Sequence, residues 1–202
     1  AAVAANMVPL AIGTQTNGSV IRPASYCGVV GFKPTHGLIP RGGVLTISAS
    51  LDTVGTFARS IDDVSLLTET IIAYDSKDTF TRVRARPPLR KPAAEQPPMA
   101  LIVAFSKTAV WDQAEKGTQE AFAELVGILG DDCHDFSFSE PFDHAIEMHR
   151  NLMCADMANS FAGYYERGKD KLTDILCEMI EFGREVSALD YIKALEGREV
   201  LN

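Results

Sequence analysis

Residues 13–35 constrain the fold more than any other stretch, because glycines and a serine crowd into one short connection. The segment reads Gly-Thr-Gln-Thr-Asn-Gly-Ser-Val-Ile-Arg-Pro-Ala-Ser-Tyr-Cys-Gly-Val-Val-Gly-Phe-Lys-Pro-Thr, with Ser19 directly after Gly18. Glycine adopts positive φ values readily, so a turn at Gly18 lets several backbone N–H groups converge on one point. Such converging donors stabilise a developing oxyanion. The segment therefore predicts a nucleophilic serine, Ser19, beside an oxyanion hole.

A Gly-Ser pair alone is weak evidence for a nucleophile, because most such pairs are polar loops. Residues 17–21 also fail the G-x-S-x-G nucleophile elbow. The whole segment, however, resembles the amidase signature family, which reads roughly G-T-D-T-G-G-S-I-R-x-P-A-x-x-C-G-x-x-G-x-K-P-T. The resemblance continues over residues 50–64, which read S-L-D-T-V-G-T-F-A-R-S-I-D-D-V and follow the family's S-x-D-x-x-G-x-x-A-R-S/T-x-x-D pattern. These specific motifs cover about the first third of the chain.

The resemblance implies a mechanism in which a serine, a second serine held by a cis peptide bond and a lysine act together on amide bonds. Ser19 occupies the family's nucleophile position. The family's oxyanion donors are backbone N–H groups, which correspond here to Thr16, Asn17, Gly18 and Ser19. An acyl-enzyme forms, ammonia leaves, and water resolves the intermediate. The resemblance thus implies a serine amidase that cleaves the C–N bond of a small amide.

Two of the three implied catalytic groups are absent from the sequence. In the family, the second serine lies in a G-G-S-S-G-like loop upstream of the nucleophile, and the lysine lies farther upstream. Only eighteen residues precede Ser19 here, so we expect an internal segment that is incomplete at both ends and inactive by itself. Lys33 belongs to the G-x-K-P-T element, which is not the family's catalytic lysine position, and we expect a structural role for it.

Three positions within the signature bear on substrate choice. Gln15 stands where many members have Asp, and Asn17 stands where many have Gly. Arg22 lies three residues after Ser19, an arrangement shared with malonamidase-like members, in which the arginine binds a substrate carboxylate. A guanidinium holds a carboxylate through two parallel charge-assisted hydrogen bonds. The alternative is that Arg22 pairs with an internal acid such as Asp52.

Composition restricts the partners that the chain can be expected to bind. The net charge of -8 argues against nucleic acid as the main partner, unless the chain belongs to a tRNA-dependent enzyme. No apolar run approaches membrane-spanning length, so we expect no membrane partner. The four cysteines lack C-x-x-C spacing, which argues against a zinc site or a disulfide framework. We expect reduced, buried cysteines, no metal or other cofactor, and a cytoplasmic location.

Periodicity along the chain predicts alternating strands and helices. We expect strands at Val8–Gly13, Thr53–Ala58 and Ala100–Phe105, and a helix that begins after Ser60. Further helices are predicted at Thr118–Leu129, after Pro141 with a buried stripe that includes Ile146, at Leu172–Phe182 and from Ser187. The five prolines of residues 82–98 indicate a Pro/Arg-rich loop without a regular element.

The expected fold is α/β, with part of a mixed β-sheet covered by α-helices. We expect residues 1–202 to form one partial amidase domain. Part of such a sheet exposes unpaired edges and apolar faces, so we also expect a homodimer.

Three functions remain open from the sequence. The first is the nucleophile-bearing segment of an amidase that acts on a small amide. The second is a segment of a glutamyl-tRNA amidotransferase A subunit, which shares the signature but works with other subunits. The third is a catalytically dead fragment or a paralogue that keeps the fold for a binding or structural role.

Overall fold

The computed structural model describes residues 1–201, which form two compact units. The first unit comprises residues 1–96 and 151–191, and the second comprises residues 97–150 with the C-terminal residues from 192. Strands and helices alternate along the chain, and the strands pair in both antiparallel and parallel fashion. The predicted α/β class is therefore confirmed.

The first unit is built on a three-stranded antiparallel sheet with the order β1-β3-β2. Its strands are β1 (Ala11–Gln15), β2 (Val30–Phe32) and β3 (Thr53–Ala58). Gly13 faces Gly55 across β1 and β3, and Phe32 faces Thr56 across β2 and β3. The central strand β3 is almost entirely buried, which matches its apolar run. Since β1 ends at Gln15, the Ser19 turn follows the sheet directly.

Helix α2 (Ile61–Ile71) covers this sheet and begins where the sequence predicts. The Ser60 hydroxyl accepts a hydrogen bond from the Asp63 backbone N–H at 3.1 Å, which satisfies one of the unpaired amides of the first turn. On the inner side of the helix, Thr68 shares a 2.9 Å hydrogen bond with Thr56 of β3, and both side chains are fully buried. The pair joins helix and sheet without leaving a buried hydroxyl unsatisfied.

The later helices are α5 (Ala145–Ser160), α6 (Ala162–Gly168), α7 (Asp174–Glu185) and α8 (Ala188–Leu201). Within the first unit, Met157 and Ala158 of α5 pack against Ile180 of α7, and Ile47 lies against this cluster. A β-carbon at Gly183 would lie 1.9 Å from the Cys154 carbonyl oxygen, so α7 approaches α5 closely only because Gly183 has no side chain. The segment containing Ile47 is thereby brought against α5.

The second unit contains β4 (Val103–Phe105), β5 (Cys133–Asp135) and α4 (Lys116–Leu129). The two strands pair in parallel, with Val103 opposite Cys133. Phe105, Trp111 and Phe122 form an aromatic cluster with ring centroids 5.5–5.9 Å apart. Edge-to-face contacts of this kind stabilise small cores beyond the area that they bury.

The loop predicted at residues 82–98 contains a short helix, so the prediction that it holds no regular element is wrong. Helix α3 spans Arg90–Ala94. Pro92 lies in its first turn, where backbone amides lack helical partners and a proline costs little. The Glu69 carboxylate accepts hydrogen bonds from the backbone N–H groups of Leu89 and Arg90, which caps the helix from α2. This cap comes from a distant residue and leaves no local sequence signal.

Several predicted boundaries also shift. The first strand begins at Ala11 rather than Val8, and the strand predicted at Ala100–Phe105 forms only from Val103. A 3-10 segment at Glu140–His144 precedes α5, so the helix itself begins after the predicted position. Ile146, predicted to lie on the buried stripe of that helix, is 56% exposed. The four cysteines are unpaired, but Cys27 and Cys133 are only half-buried, so burial was predicted correctly for Cys154 and Cys177 alone.

Within residues 1–201, no helix combines the length and the apolar character needed to cross a bilayer.

An ion pair between Arg41 and Asp78 fixes the segment that precedes β3. The Arg41 guanidinium lies 3.1 Å from the Asp78 carboxylate, and both side chains are largely buried. The same guanidinium donates to the carbonyl oxygens of Ala49, at 2.8 Å, and Asp52, at 3.3 Å. Hydrogen bonds from Arg41 lower the pKa of Asp78 from 3.8 to about 2.

We predict that Asp78→Asn lowers the free energy of unfolding by about 2 kcal/mol at neutral pH. Because the folded state depresses this pKa, the ionised carboxylate stabilises the protein above about pH 4, and this stabilisation disappears as the pH falls towards 2. Urea unfolding at several pH values should therefore give a difference from the parent that shrinks below about pH 4. Asp170→Asn, at an exposed position, is the control and should show little change. A difference that is independent of pH would contradict the assignment.

Candidate active site

Ser19 lies in the turn between β1 and a short helix, α1 (Ile21–Tyr26). Gly18 has a φ of 76°, the left-handed conformation that its position predicts. The Arg22 backbone N–H donates to the Gly18 carbonyl at 2.9 Å, which ties the first turn of α1 to the Ser19 turn. The Ser19 side chain is exposed. The turn therefore presents Ser19 at the start of a helix, where the helix dipole favours negative charge.

The backbone N–H groups of Asn17, Gly18 and Ser19 form no hydrogen bond with any part of the chain that the structure describes. Because the turn is at the surface, these donors can be satisfied by water or by a bound oxygen atom. The arrangement is chemically suited to hold an oxyanion beside Ser19.

Gln15 closes the turn from the end of β1. Its side-chain oxygen accepts hydrogen bonds from the backbone N–H groups of Val20, at 2.9 Å, and Ile21, at 3.1 Å. These are amides at the start of α1 that no helical carbonyl can reach. Gln15, which stands where many family members have Asp, thus caps α1. No sequence motif indicates this role.

A second anchor holds Thr16, the first residue of the turn. The Thr16 hydroxyl donates to one carboxylate oxygen of Asp52 at 2.5 Å. The other oxygen of Asp52 accepts from the backbone N–H groups of Ile47, at 2.8 Å, and Ser48, at 3.2 Å. Asp52 is only 4% exposed, so its charge is offset by these donors rather than by water. The turn is therefore attached to the segment of residues 47–52.

Arg22 does not pair with Asp52, so that alternative from the sequence is wrong. The Asp52 carboxylate is occupied by Thr16 and by the backbone of residues 47 and 48. Among residues 1–201, no carboxylate forms an ion pair with Arg22, whose side chain is exposed. Arg22 lies three residues after Ser19, in the first turn of α1.

Helix α1 packs closely against the sheet because the sheet has glycines at the contact. Val20 is fully buried and Ala24 is 3% exposed. A β-carbon at Gly31 would lie 2.5 Å from the Ala24 β-carbon, and one at Gly55 would lie 2.9 Å from Val20 Cγ2. These two glycines therefore let α1 approach β2 and β3.

Lys33 and Cys27, two reactive residue types near the turn, differ in environment. Lys33 follows β2, and its ammonium donates to the Pro34 carbonyl at 2.9 Å. Partial burial lowers the pKa of Lys33 below its ordinary value. Cys27 ends α1 and donates its backbone N–H to Pro23. Neither residue forms a hydrogen bond with the Ser19 hydroxyl within residues 1–201.

Comparison with known proteins assigns the chain to a family. A family model described as Amidase matches residues 1–199. The chain belongs to the amidase family. The fold and the signature turn described above are thus those of an amidase segment, as the resemblance of residues 13–35 and 50–64 predicts.

The relatives include glutamyl-tRNA(Gln) amidotransferase subunits A. The amidase segment is 35% identical over 166 residues to the subunit from Clostridium botulinum (strain Eklund 17B / Type B), covering 81% of this chain and 34% of the relative. It is 38% identical over 129 residues to the subunit from Legionella pneumophila (strain Corby), covering 64% and 26%. The chain thus spans about a third or less of the length of these relatives.

Solved structures match nearly the whole amidase segment. 6-Aminohexanoate cyclic dimer hydrolase, solved with its substrate, has a TM-score of 0.76 and 26% identity, covering 97% of this chain and 43% of that one. A chain from a vestigial protein complex linked to the origins of an s-triazine catabolic enzyme has a TM-score of 0.86 at 23% identity, covering 98% and 43%. At that identity, the second match shows the fold alone.

We predict that Gly18→Ala destabilises the chain by about 1–2 kcal/mol, because a β-carbon is strained at positive φ. The space itself is open, since the nearest atom to such a β-carbon is Arg22 Cβ at 3.9 Å. Gly117→Ala, in α4 and equally open, is the control and should stabilise by about 0.5–1 kcal/mol. Urea unfolding checks both values, and a neutral Gly18→Ala would contradict the backbone argument.

Proposed function

We propose that this chain carries the nucleophile of a serine amidase that hydrolyses the C–N bond of a small amide through an acyl-enzyme. The observation that carries the proposal is the exposed Ser19 beside three unbonded backbone N–H groups, at the signature position of an amidase-family chain. Acyl transfer requires a nucleophile and donors that stabilise the oxyanion, and one turn of this chain carries both.

The proposed chemistry begins when Ser19 Oγ attacks the amide carbonyl carbon. Negative charge develops on the carbonyl oxygen. The backbone N–H groups of Thr16, Asn17, Gly18 and Ser19 stabilise this charge by donating hydrogen bonds to the oxygen. The C–N bond then breaks, ammonia leaves with a proton, and water hydrolyses the resulting ester of Ser19. The proton of Ser19 requires a base, and the family resemblance assigns this task to a lysine acting through a second serine. Neither of these two groups is identified in this chain.

Arg22 is proposed to bind a carboxylate on the substrate. The side chain is exposed and without an ion pair in residues 1–201, and it lies in the first turn of α1, three residues after Ser19. A guanidinium that is free to bind a planar anion bidentately gives selectivity for amides that carry a carboxylate. The substrate class is therefore a small amide with a nearby carboxylate group.

A second candidate is a segment of a glutamyl-tRNA(Gln) amidotransferase A subunit. The observation that favours it is the identity of 35% over 81% of the chain to such a subunit. In this case the ammonia released at Ser19 would be passed on rather than lost to solvent. Glutamine-dependent amidation of a glutamyl-tRNA that requires added partner subunits would favour this candidate, whereas ammonia release from a simple amide without partners would favour the hydrolase.

We predict that the 202-residue chain does not hydrolyse malonamate, because an unassisted serine hydroxyl keeps the pKa of an alcohol and is a poor nucleophile. Loss of the base from such a catalytic unit costs several orders of magnitude in rate. The measurement is ammonia release by the chain and by Ser19→Ala. Hydrolysis by the chain that disappears in Ser19→Ala would show that an activating base is present.

In a longer chain that adds the second serine and the lysine ahead of Ala1, we predict that Ser19→Ala abolishes turnover. Arg22→Ala should mainly raise KM for malonamate, by roughly tenfold or more, because a charge-assisted pair is lost. Propionamide has a similar size but lacks the carboxylate, and its kinetics should change little. Equal losses on both amides would contradict the role of Arg22.

A further inference from the structure

Asp156 of α5 is a buried carboxylate outside the signature motifs. It is 8% exposed, and no cation pairs with it in the described part of the chain. One of its oxygens accepts hydrogen bonds from the Ser48 hydroxyl, at 2.6 Å, and from the Ser50 backbone N–H, at 3.1 Å. The other accepts from the Tyr191 hydroxyl at 2.7 Å. Three neutral donors therefore offset the charge of this carboxylate.

Burial of a carboxylate without a cation is expensive, and an apolar residue at the same place would avoid that cost. The donors that offset it belong to α8 and to the segment of residues 47–52, which is not a helix or a strand. Hydrogen bonds to a charged acceptor are short and directional, so they fix the position of that segment more closely than apolar contacts would. Asp156 thus fixes the position of residues 47–52.

The same segment is bound to the nucleophile turn through Asp52. Ser48 gives its hydroxyl to Asp156 and its backbone N–H to Asp52, whose carboxylate holds the Thr16 hydroxyl. A continuous path of hydrogen bonds therefore leads from Asp156 to Thr16, which immediately precedes the unbonded donors of residues 17–19.

We propose that Asp156 is a positioning residue for the Ser19 turn, acting through the segment of residues 47–52. Its relevance to catalysis depends on the proposed function, but its effect on the turn does not. Asp156 fixes Ser48 and Ser50, the backbone N–H group of Ser48 holds the Asp52 carboxylate, and Asp52 sets the position of Thr16. The turn then keeps its donors convergent only while this path is intact.

Hydrogen exchange of the turn amides in the 202-residue chain tests the proposal without any assay of activity. Asp156→Ala should accelerate exchange of the Val20 and Ile21 amides by roughly tenfold or more. Val64→Ala, a buried site in α2 that is not on the path, is the control for general loss of stability. Asp156→Ala and Val64→Ala are compared at urea concentrations that give equal global free energies of unfolding. Ser48→Ala removes only one hydrogen bond of the path and should have a smaller effect.

Asp156→Asn separates hydrogen bonding from charge. The amide oxygen can accept from Ser48 and Ser50, while its NH₂ group can donate to the Tyr191 hydroxyl. We therefore expect this variant to restore slow exchange at Val20 and Ile21. Rapid exchange in both Asp156→Asn and Asp156→Ala would overturn the role of hydrogen-bond geometry.

A double variant tests whether the effect passes through Thr16. Thr16→Val removes the hydroxyl at the end of the path and should itself accelerate exchange of the turn amides. If Asp156 acts along this path, Asp156→Ala should add little in the Thr16→Val background. Additive effects, or equal exchange of the turn in Asp156→Ala and Val64→Ala at matched stability, would overturn the proposal. Inactivity towards every amide of the longer chain that adds the second serine and the lysine would contradict the proposed function and leave these exchange results unaffected.

Discussion

Two buried carboxylates, Asp52 and Asp156, hold the segment of residues 47–52, and Asp52 joins that segment to the Ser19 turn through the Thr16 hydroxyl. Each carboxylate is surrounded by hydroxyl and backbone donors. Such groups cannot be left without donors in a dry interior, because a buried unpaired charge would be strongly destabilising. The polar contacts are therefore obligatory, and they set distances and directions that an apolar core leaves loose. The geometry around Ser19 is thus determined largely outside the turn.

Arg41 supplies a cationic contact to this segment through carbonyl oxygens. Its guanidinium binds Asp78 on one side and the carbonyl groups of Ala49 and Asp52 on the other. This sheltered pair differs from Arg90 and Asp62, whose side chains are about half exposed. Exposed pairs contribute little to stability. The buried pair of Arg41 and Asp78 therefore holds residues 47–52 more firmly than the exposed pair of Arg90 and Asp62 holds the outer surface.

Local patterns were sufficient to predict the elements that depend on neighbouring residues. The bounds of β3, the Ser60 cap and the positive φ of Gly18 follow from short motifs and agree with the structure. Contacts between distant residues could not be predicted in this way. Ser48 and Asp156 are separated by 108 positions, and the pairing depends on how α5 packs. The cap on α3 from Glu69, twenty residues before Leu89, is a further contact of this kind. The cap on α1 from Gln15 is closer in sequence, but it uses a side chain of the preceding strand rather than a residue at the N-cap position.

The two glycines under α1 have a consequence for how such a site can vary. Because Gly31 and Gly55 lie against Ala24 and Val20, the inner side of the helix has no room for larger side chains. Its outer side carries Arg22 and Tyr26, and both these residues and Ser19, just before the helix, are exposed. Substitutions are therefore blocked where the helix is seated and permitted where a ligand would approach. The contacts between α1 and the sheet can therefore stay the same while the exposed residues of this region are exchanged.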